Sequence, residues 1–362
     1  MGAALAAGML GAAAWGPAPA HAAPAHAAPA MDPFWSEPTD PEAIAELRAL
    51  KLDSCPLMAD GFESEPHLPD WQPKFVRPPE RFDLQDEFRV EGDRALAISL
   101  LKSDLLWSKN KHKHELREAN RKRCRFGQEV WYSFAFRIEG DYPRFGSTRW
   151  VVGQWKEENR ASPFLAQRFD NGVFHITVQS NDHREVIAAA PGDYTMEYPF
   201  FTQAFRDDLA ARVPRDASDF ARRVSGFRSA DGLGAIDVPA YAKALDEQDL
   251  DQFPFLADRP DYSPIPGLKL TFSATPVLPN PTDGWVRMRY RVRGGRDGTG
   301  LVEVWANDRF VVRVEGKLGN DVFEGPTQYF KIGHYRDVED GFDWATVYVD
   351  EFKRGTRRRD VD

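Results

Sequence analysis

The chain has little cysteine: Cys55 and Cys124 are the two thiols in 362 residues. Two cysteines exclude a disulfide-rich scaffold, and their spacing offers no metal site. One bridge or two separate core thiols both stay open. Long apolar runs are also missing. No window approaches the roughly 20 uninterrupted apolar residues of a membrane helix, so past its N-terminus the chain is expected to be soluble. Positive charge is in deficit, with 47 Lys and Arg against 56 Asp and Glu and a net charge of -9. That balance excludes a global pull toward polyanions and, with no recognised module, argues against a nucleic-acid reader. No internal repeat is present.

Core material is abundant. With 42% hydrophobic and 12% aromatic residues, disorder throughout is excluded, and the length suits one large domain or two modest ones. The first 30 residues stand apart as a leader. An Ala-rich apolar run, Ala3 to Trp15, precedes small-residue sites around Ala20-His21-Ala22 and Ala25-His26-Ala27, the pattern of a secretory signal peptide with A-x-A cleavage sites. No Lys or Arg precedes the run; a start placed a few codons too late accounts for that, and a disordered leader before a true start at Met31 is the alternative. The expected location is secreted or periplasmic.

Asp40 to Leu52 has helical spacing, with Ala43, Ile44, Leu47 and Leu50 on one side. After it the pattern is mostly β: Ala95 to Leu100, Glu129 to Ile138, Trp150 to Lys156, Gly172 to Gln179, Leu268 to Ala274, Trp285 to Val292, Leu301 to Trp305, Arg309 to Val314, Tyr329 to Tyr335 and Ala345 to Phe352. Turn residues at short intervals predict an antiparallel sandwich rather than alternating α/β units. Between about 198 and 262, Phe201, Phe205 and Leu209 fall at helical spacing and Asp237-Val238-Pro239 resembles a helix start. The expectation is therefore one all-β domain over 31–362 with a helical insertion.

Three segments carry chemistry. In Tyr329-Phe330-Lys331-Ile332-Gly333-His334-Tyr335-Arg336, alternation puts Tyr329, Lys331, Gly333 and Tyr335 on one face, and sets Lys331 as the cation that favours an ionised Tyr335. In Lys113-His114-Glu115-Leu116-Arg117-Glu118, Lys113, Glu115 and Arg117 share a face as an ion-pair ladder fit to hold a substrate carboxylate. In Val151-Val152-Gly153-Gln154-Trp155-Lys156, Gln154 and Lys156 share a face with Val152, and Gln154 is an amide donor. The surrounding stretch from Lys109 to Arg125 holds eight Lys and Arg against Glu115 and Glu118; it reads either as an anion contact or as a solvated face. Arg354 with Arg357-Arg358-Arg359 reads as a solvated tail.

Together the three segments resemble the polysaccharide lyases with a jelly-roll, concanavalin-like fold, namely the alginate lyases, the glucuronan lyases and the heparin lyase I group. Those families carry R-x-E-L-R-E, Q-I-H or Q-W-H, and Y-F-K-x-G-x-Y segments in that order. The resemblance spans roughly Asp60 to Gly355 without the insertion, and two positions depart from it. Lys113 stands where Arg is usual, losing the bidentate fork, and Lys156 stands where a His commonly serves.

The resemblance implies β-elimination in a uronate-containing polysaccharide, without cofactor or metal. Tyr335 is the implied base and acid, and Gln154 with Arg117 neutralises the C5 carboxylate. His114 is a second candidate base, although simple alternation turns it away from Arg117 unless a bulge intervenes. Lys113, Glu115, Lys156, Lys331, His175 and Arg336 complete the implied substrate contacts. The H-x-H pair His112 and His114 has no convincing third metal ligand. Two alternatives remain: a glycoside hydrolase on a similar sandwich, although no close E-x-D-x-x-E pattern is present, and a non-catalytic carbohydrate-binding module using Trp155, Trp285, Trp305 and Trp344. The implied partner is an anionic polysaccharide, with no nucleic acid or membrane.

Overall fold

A computed structural model describes residues 55–64, 70–74, 81–107, 111–142, 149–158, 161–170, 173–190, 265–273, 276–321, 325–338 and 341–362. The leader, the helix expected over Asp40 to Leu52 and the insertion expected over 198–262 lie outside the described residues. Strands in chain order begin with β1 (Met58–Asp60), β2 (Trp71–Lys74), β3 (Phe82–Gln85), β4 (Ala95–Leu101), β5 (Lys111–Glu118) and β6 (Cys124–Arg125). Next come β7 (Val130–Gly140), β8 (Arg149–Glu157), β9 (Leu165–Asp170), β10 (Val173–Ser180), β11 (His183–Ala189) and β12 (Lys269–Phe272). The last are β13 (Val286–Arg293), β14 (Gly295–Ala306), β15 (Arg309–Leu318), β16 (Thr327–Asp337) and β17 (Trp344–Gly355).

These strands form two antiparallel sheets packed as a jelly-roll sandwich. The nine-stranded sheet runs β12-β15-β14-β13-β7-β17-β4-β3, with β1 on β17; the eight-stranded sheet runs β11-β10-β9-β8-β16-β5-β2, with β6 on β16. β13 shows why the sequence folds this way. Val286, Met288, Tyr290 and Val292 are buried while the four intervening arginines point outward, a period of two that only a strand turns into one apolar face. Between the sheets lie Phe134, Phe136, Trp155, Tyr290, Phe330 and Phe352, each fully buried aromatic being worth about 2–3 kcal/mol. Trp155, one of the four tryptophans considered as sugar platforms, is 1% exposed and belongs to this core.

Cys55 and Cys124 form a disulfide that closes a separation of 69 residues. The second basic cluster divides. Arg357 and Arg358 are exposed, whereas Arg354 is fully buried and crosses the sandwich to Glu118, with its guanidinium 2.9 Å from the Glu118 carboxylate. The tail reading therefore fails for Arg354, because β17 runs on to Gly355 through the middle of its sheet.

Candidate active site

The eight-stranded sheet has an inner face against the core and an outer face. β5, β16, β8 and β9 place most of the candidate site residues on the outer one. Register pairs Gln72 with Arg117, Arg117 with Lys331, Lys331 with Gln154, and Gln154 with Ala166, so these side chains lie in one row across β2, β5, β16, β8 and β9. A second row runs Lys113, Tyr335, Val151, Arg168 and His175. Glu115 pairs with Gly333 between them.

Glu115 is the hub. One carboxylate oxygen accepts a hydrogen bond from the Gln154 amide, and the other lies 3.7 Å from the Lys113 ammonium and 3.8 Å from that of Lys331. Arg117 donates to the Gln72 side chain at 2.8 Å. Lys113, Glu115, Arg117, Gln154, Lys156 and Lys331 are all buried. Within the basic stretch Lys113, Arg117 and Arg123 are thus buried members of an ordered array while Arg121 and Arg125 are exposed, and the array concentrates cations in a chain whose net charge is -9. An oriented array of this kind binds carboxylates with little reorganisation.

The cation beside Tyr335 is Lys113, not Lys331. The Lys113 ammonium lies 4.9 Å from the centre of the Tyr335 ring and Lys111 lies 5.7 Å from it. Lys331 sits four residues away along the same strand, about 13 Å by strand rise, and is 5.4 Å from the Tyr329 ring instead. Arg123 stacks on that ring at 4.0 Å. Gly333 makes the close pairing of β16 with β5 feasible: its φ is +134°, and an added Cβ would lie 2.3 Å from the His114 carbonyl oxygen.

A bulge on β8 decides what accompanies Gln154. Register slips between Val151 and Gly153, so Val152 enters the core and Val151 takes its place in the Tyr335 row. The expected sharing of a face by Gln154 and Val152 is corrected accordingly.

His114 and Arg336 are not brought to this face. β5 pairs with β16 without a break, so His114 points inward, its Nδ1 3.2 Å from the Ser99 carbonyl oxygen on β4. Burial lowers the basicity of the His112 and His114 rings and pushes His334 down to about 3, so the inner face presents neutral imidazoles. Arg336 packs over Trp150 and Phe342 at 5.1 and 4.1 Å and bonds the Asp141 carbonyl. His175 is on the outer face but three strands from Tyr335, about 14 Å by strand spacing, and Lys156 lies opposite Tyr329. Among the described residues no group of three or more His, Cys, Asp or Glu is placed to hold a metal ion.

Sequence reasoning missed Trp107, whose ring lies 5.7 Å from that of Tyr335, as well as Arg168 and the partnership of Lys113 with Tyr335. The last depends on inter-strand register, and Trp107 sits in a loop with no periodic signal.

The family model described as Polysaccharide lyase matches residues 65–353. The chain belongs to that family. The lyase is similar in structure to an endo-β-1,4-glucuronan lyase from the fungus Trichoderma reesei, at 14% identity and a TM-score of 0.43 over 84% of this chain and 92% of that one. An alginate lyase of polysaccharide lyase family 7 is similar at 11% identity and a TM-score of 0.39, covering 79% and 94%. A cellulose-induced protein, Cip1, is similar at 11% and 0.40, covering 83% and 97%. Among curated proteins none matches the lyase in sequence. No helix among its described residues is long and apolar enough to cross a membrane.

Proposed function

We propose that this lyase cleaves an anionic, uronate-containing polysaccharide by β-elimination, with Tyr335 as the proton-transferring group. The observation that carries the reading is the half-buried Tyr335 phenol beside Lys113, on the same face as the array around Glu115. The proton on C5 of a uronate is hard to remove while the adjacent carboxylate keeps its full charge. Gln154, Arg117 and Lys331 stand in one row to neutralise that carboxylate as C5 loses its proton. Glu115 acts through Gln154, accepting an amide N–H and so holding that side chain in place.

Tyr335 in its phenolate form takes the C5 proton. The C–H electron pair becomes the C4=C5 double bond, the C4–O bond breaks, and the phenol returns the proton to the departing oxygen. Lys113 stabilises the negative charge on Tyr335 before transfer and again after the proton has gone on. His114 has no part in this scheme, because its ring faces the opposite sheet. The Cys55–Cys124 disulfide supports a working location in an oxidising, extracytoplasmic compartment.

The test is mass spectrometry of oligosaccharides released from glucuronan and alginate in water enriched in ¹⁸O. Elimination yields fragments one water lighter than the hydrolytic products, with no ¹⁸O at the cleavage point. Full-mass fragments carrying ¹⁸O would overturn the mechanism.

A further inference from the structure

The loop after β4 holds three large apolar residues in the open: Leu105 at 67%, Leu106 at 45% and Trp107 at 43% exposure. The described part of the loop is tied down. Asp104 is buried, accepts the Leu101 N–H at 2.9 Å and takes both Nε and a terminal nitrogen of Arg81 at 2.8–3.1 Å. His114 Nδ1 stands 4.0 Å behind it. The Trp107 N–H donates to the Lys111 carbonyl at 2.8 Å. An exposed indole held this firmly is preorganised for contact rather than merely left outside the core.

The position of Trp107 says what that contact is. Its ring meets Tyr335 edge to face, centroids 5.7 Å apart and planes at 81°. The Lys113 ammonium lies 4.4 Å from the indole centre and 4.9 Å from the Tyr335 ring, so one cation bridges the two aromatics. A pyranose presents an apolar C–H face and polar edges, which matches an indole beside an ammonium.

We infer that Trp107 is a sugar-stacking platform of the substrate site, receiving the uronate unit next to the one on which Tyr335 acts, with Lys113 facing that unit's carboxylate. The inference rests on the elimination reading of Tyr335 and adds a neighbouring subsite to it. It makes Trp107 a substrate-binding residue whose loss falls on KM more than on kcat.

The test combines kinetics and direct binding. Oligouronates prepared from glucuronan and from alginate are titrated calorimetrically into Tyr335→Phe, Tyr335→Phe/Trp107→Ala and Tyr335→Phe/Trp107→Phe. Binding is expected to weaken about tenfold in the alanine variant and to recover largely in the phenylalanine variant, as an aromatic contact requires. In the otherwise unaltered enzyme Trp107→Ala is expected to raise KM by a similar factor with a much smaller change in kcat. Trp107→Leu, which keeps apolar bulk but has no ring, replaces the alanine variant if that one melts early, and is expected to bind as weakly. Unchanged Kd and KM in the ring-less variants would overturn the inference, as would absence of any oligouronate binding to the parent protein. If binding depends on Trp107 but the unaltered enzyme forms no unsaturated product, the platform stands and the role of Tyr335 falls.

Discussion

Replacing Arg354 with Met tests how the sandwich tolerates charge in its centre. Arg354 and Glu118 are both fully buried, 2.9 Å apart, one on each sheet. The guanidinium also donates to the Pro56 carbonyl at 2.5 Å, and the second Glu118 oxygen accepts the Phe330 N–H at 3.1 Å. Burial pushes the Glu118 carboxyl up, and Arg354 is the main influence holding it down. Without Arg354 the carboxyl must bind a proton. For a group whose ordinary value is 4.5, doing so at pH 7 costs at most about 3.4 kcal/mol more than in the unaltered protein, where burial already raises the carboxyl beside Arg354. Loss of the Pro56 bond adds about 1 kcal/mol, so the variant should be destabilised by between about 1 and about 4 kcal/mol, the upper end within the range for breaking a buried pair.

The sign follows from proton binding. In the variant the native state holds a proton that the unfolded state releases above pH about 4.5, so stability falls as pH rises and the penalty shrinks toward acid. At pH 5 the protonation cost is below about 1 kcal/mol. Glu118→Leu behaves differently, because an arginine stranded in the core cannot deprotonate, and its penalty should stay flat over the same range. Urea denaturation at pH 5 and pH 7 measures both. A cost below about 1 kcal/mol at pH 7 for Arg354→Met, or the same cost at both pH values, would refute the argument.

Other consequences follow from the same structure. Cys55→Ser opens a 69-residue separation and should cost about 4 kcal/mol by chain entropy, read as a matching loss when the unaltered protein is melted with and without a thiol reductant. Burial pushes the Glu351 carboxyl up to about 7, helped by its hydrogen bond with Glu91, which that bond holds below its ordinary value. The native pair therefore keeps a proton that the unfolded chain loses above about 4.5, and stability declines as pH rises from there toward about 7. Glu351→Gln should flatten that decline in melting curves taken between pH 5 and pH 8; an unchanged slope would assign it to other groups. Gly333→Ala places a methyl 2.3 Å from a β5 carbonyl at a φ of +134°, and should cost at least about 2 kcal/mol and remove most activity by parting Tyr335 from Lys113. Full activity there would mean the pairing is dispensable.

Much of the candidate site's arrangement on one face was legible because alternation is a local property. Lys113, Glu115 and Arg117, and likewise Lys331 and Tyr335, share a face as their spacing requires, and His114 turns inward for the same reason. What sequence could not show was pairing between strands. Lys331 is near Tyr335 in sequence, yet register makes Lys113 its neighbour, and no residue type announces the bulge that swaps Val151 for Val152. The run ending Arg357-Arg358-Arg359 looks like a solvated tail, and nothing local marks Arg354 as the member that enters the core. The fold class followed from short alternating segments between turns. The meeting of Cys55 and Cys124 depends on how distant strands dock.

The central claim is that Tyr335 moves the proton while the array around Glu115 holds the uronate. It is tested most directly by following the ultraviolet absorbance of unsaturated uronate with glucuronan, alginate, hyaluronan, heparin and heparan sulfate, using the unaltered protein and Tyr335→Phe side by side, with calorimetric binding of the responsive polymer to both. The account predicts absorbance growth with at least one polymer, loss of that growth by about a thousandfold or more in the variant, and nearly equal binding. Undiminished growth in Tyr335→Phe would contradict it.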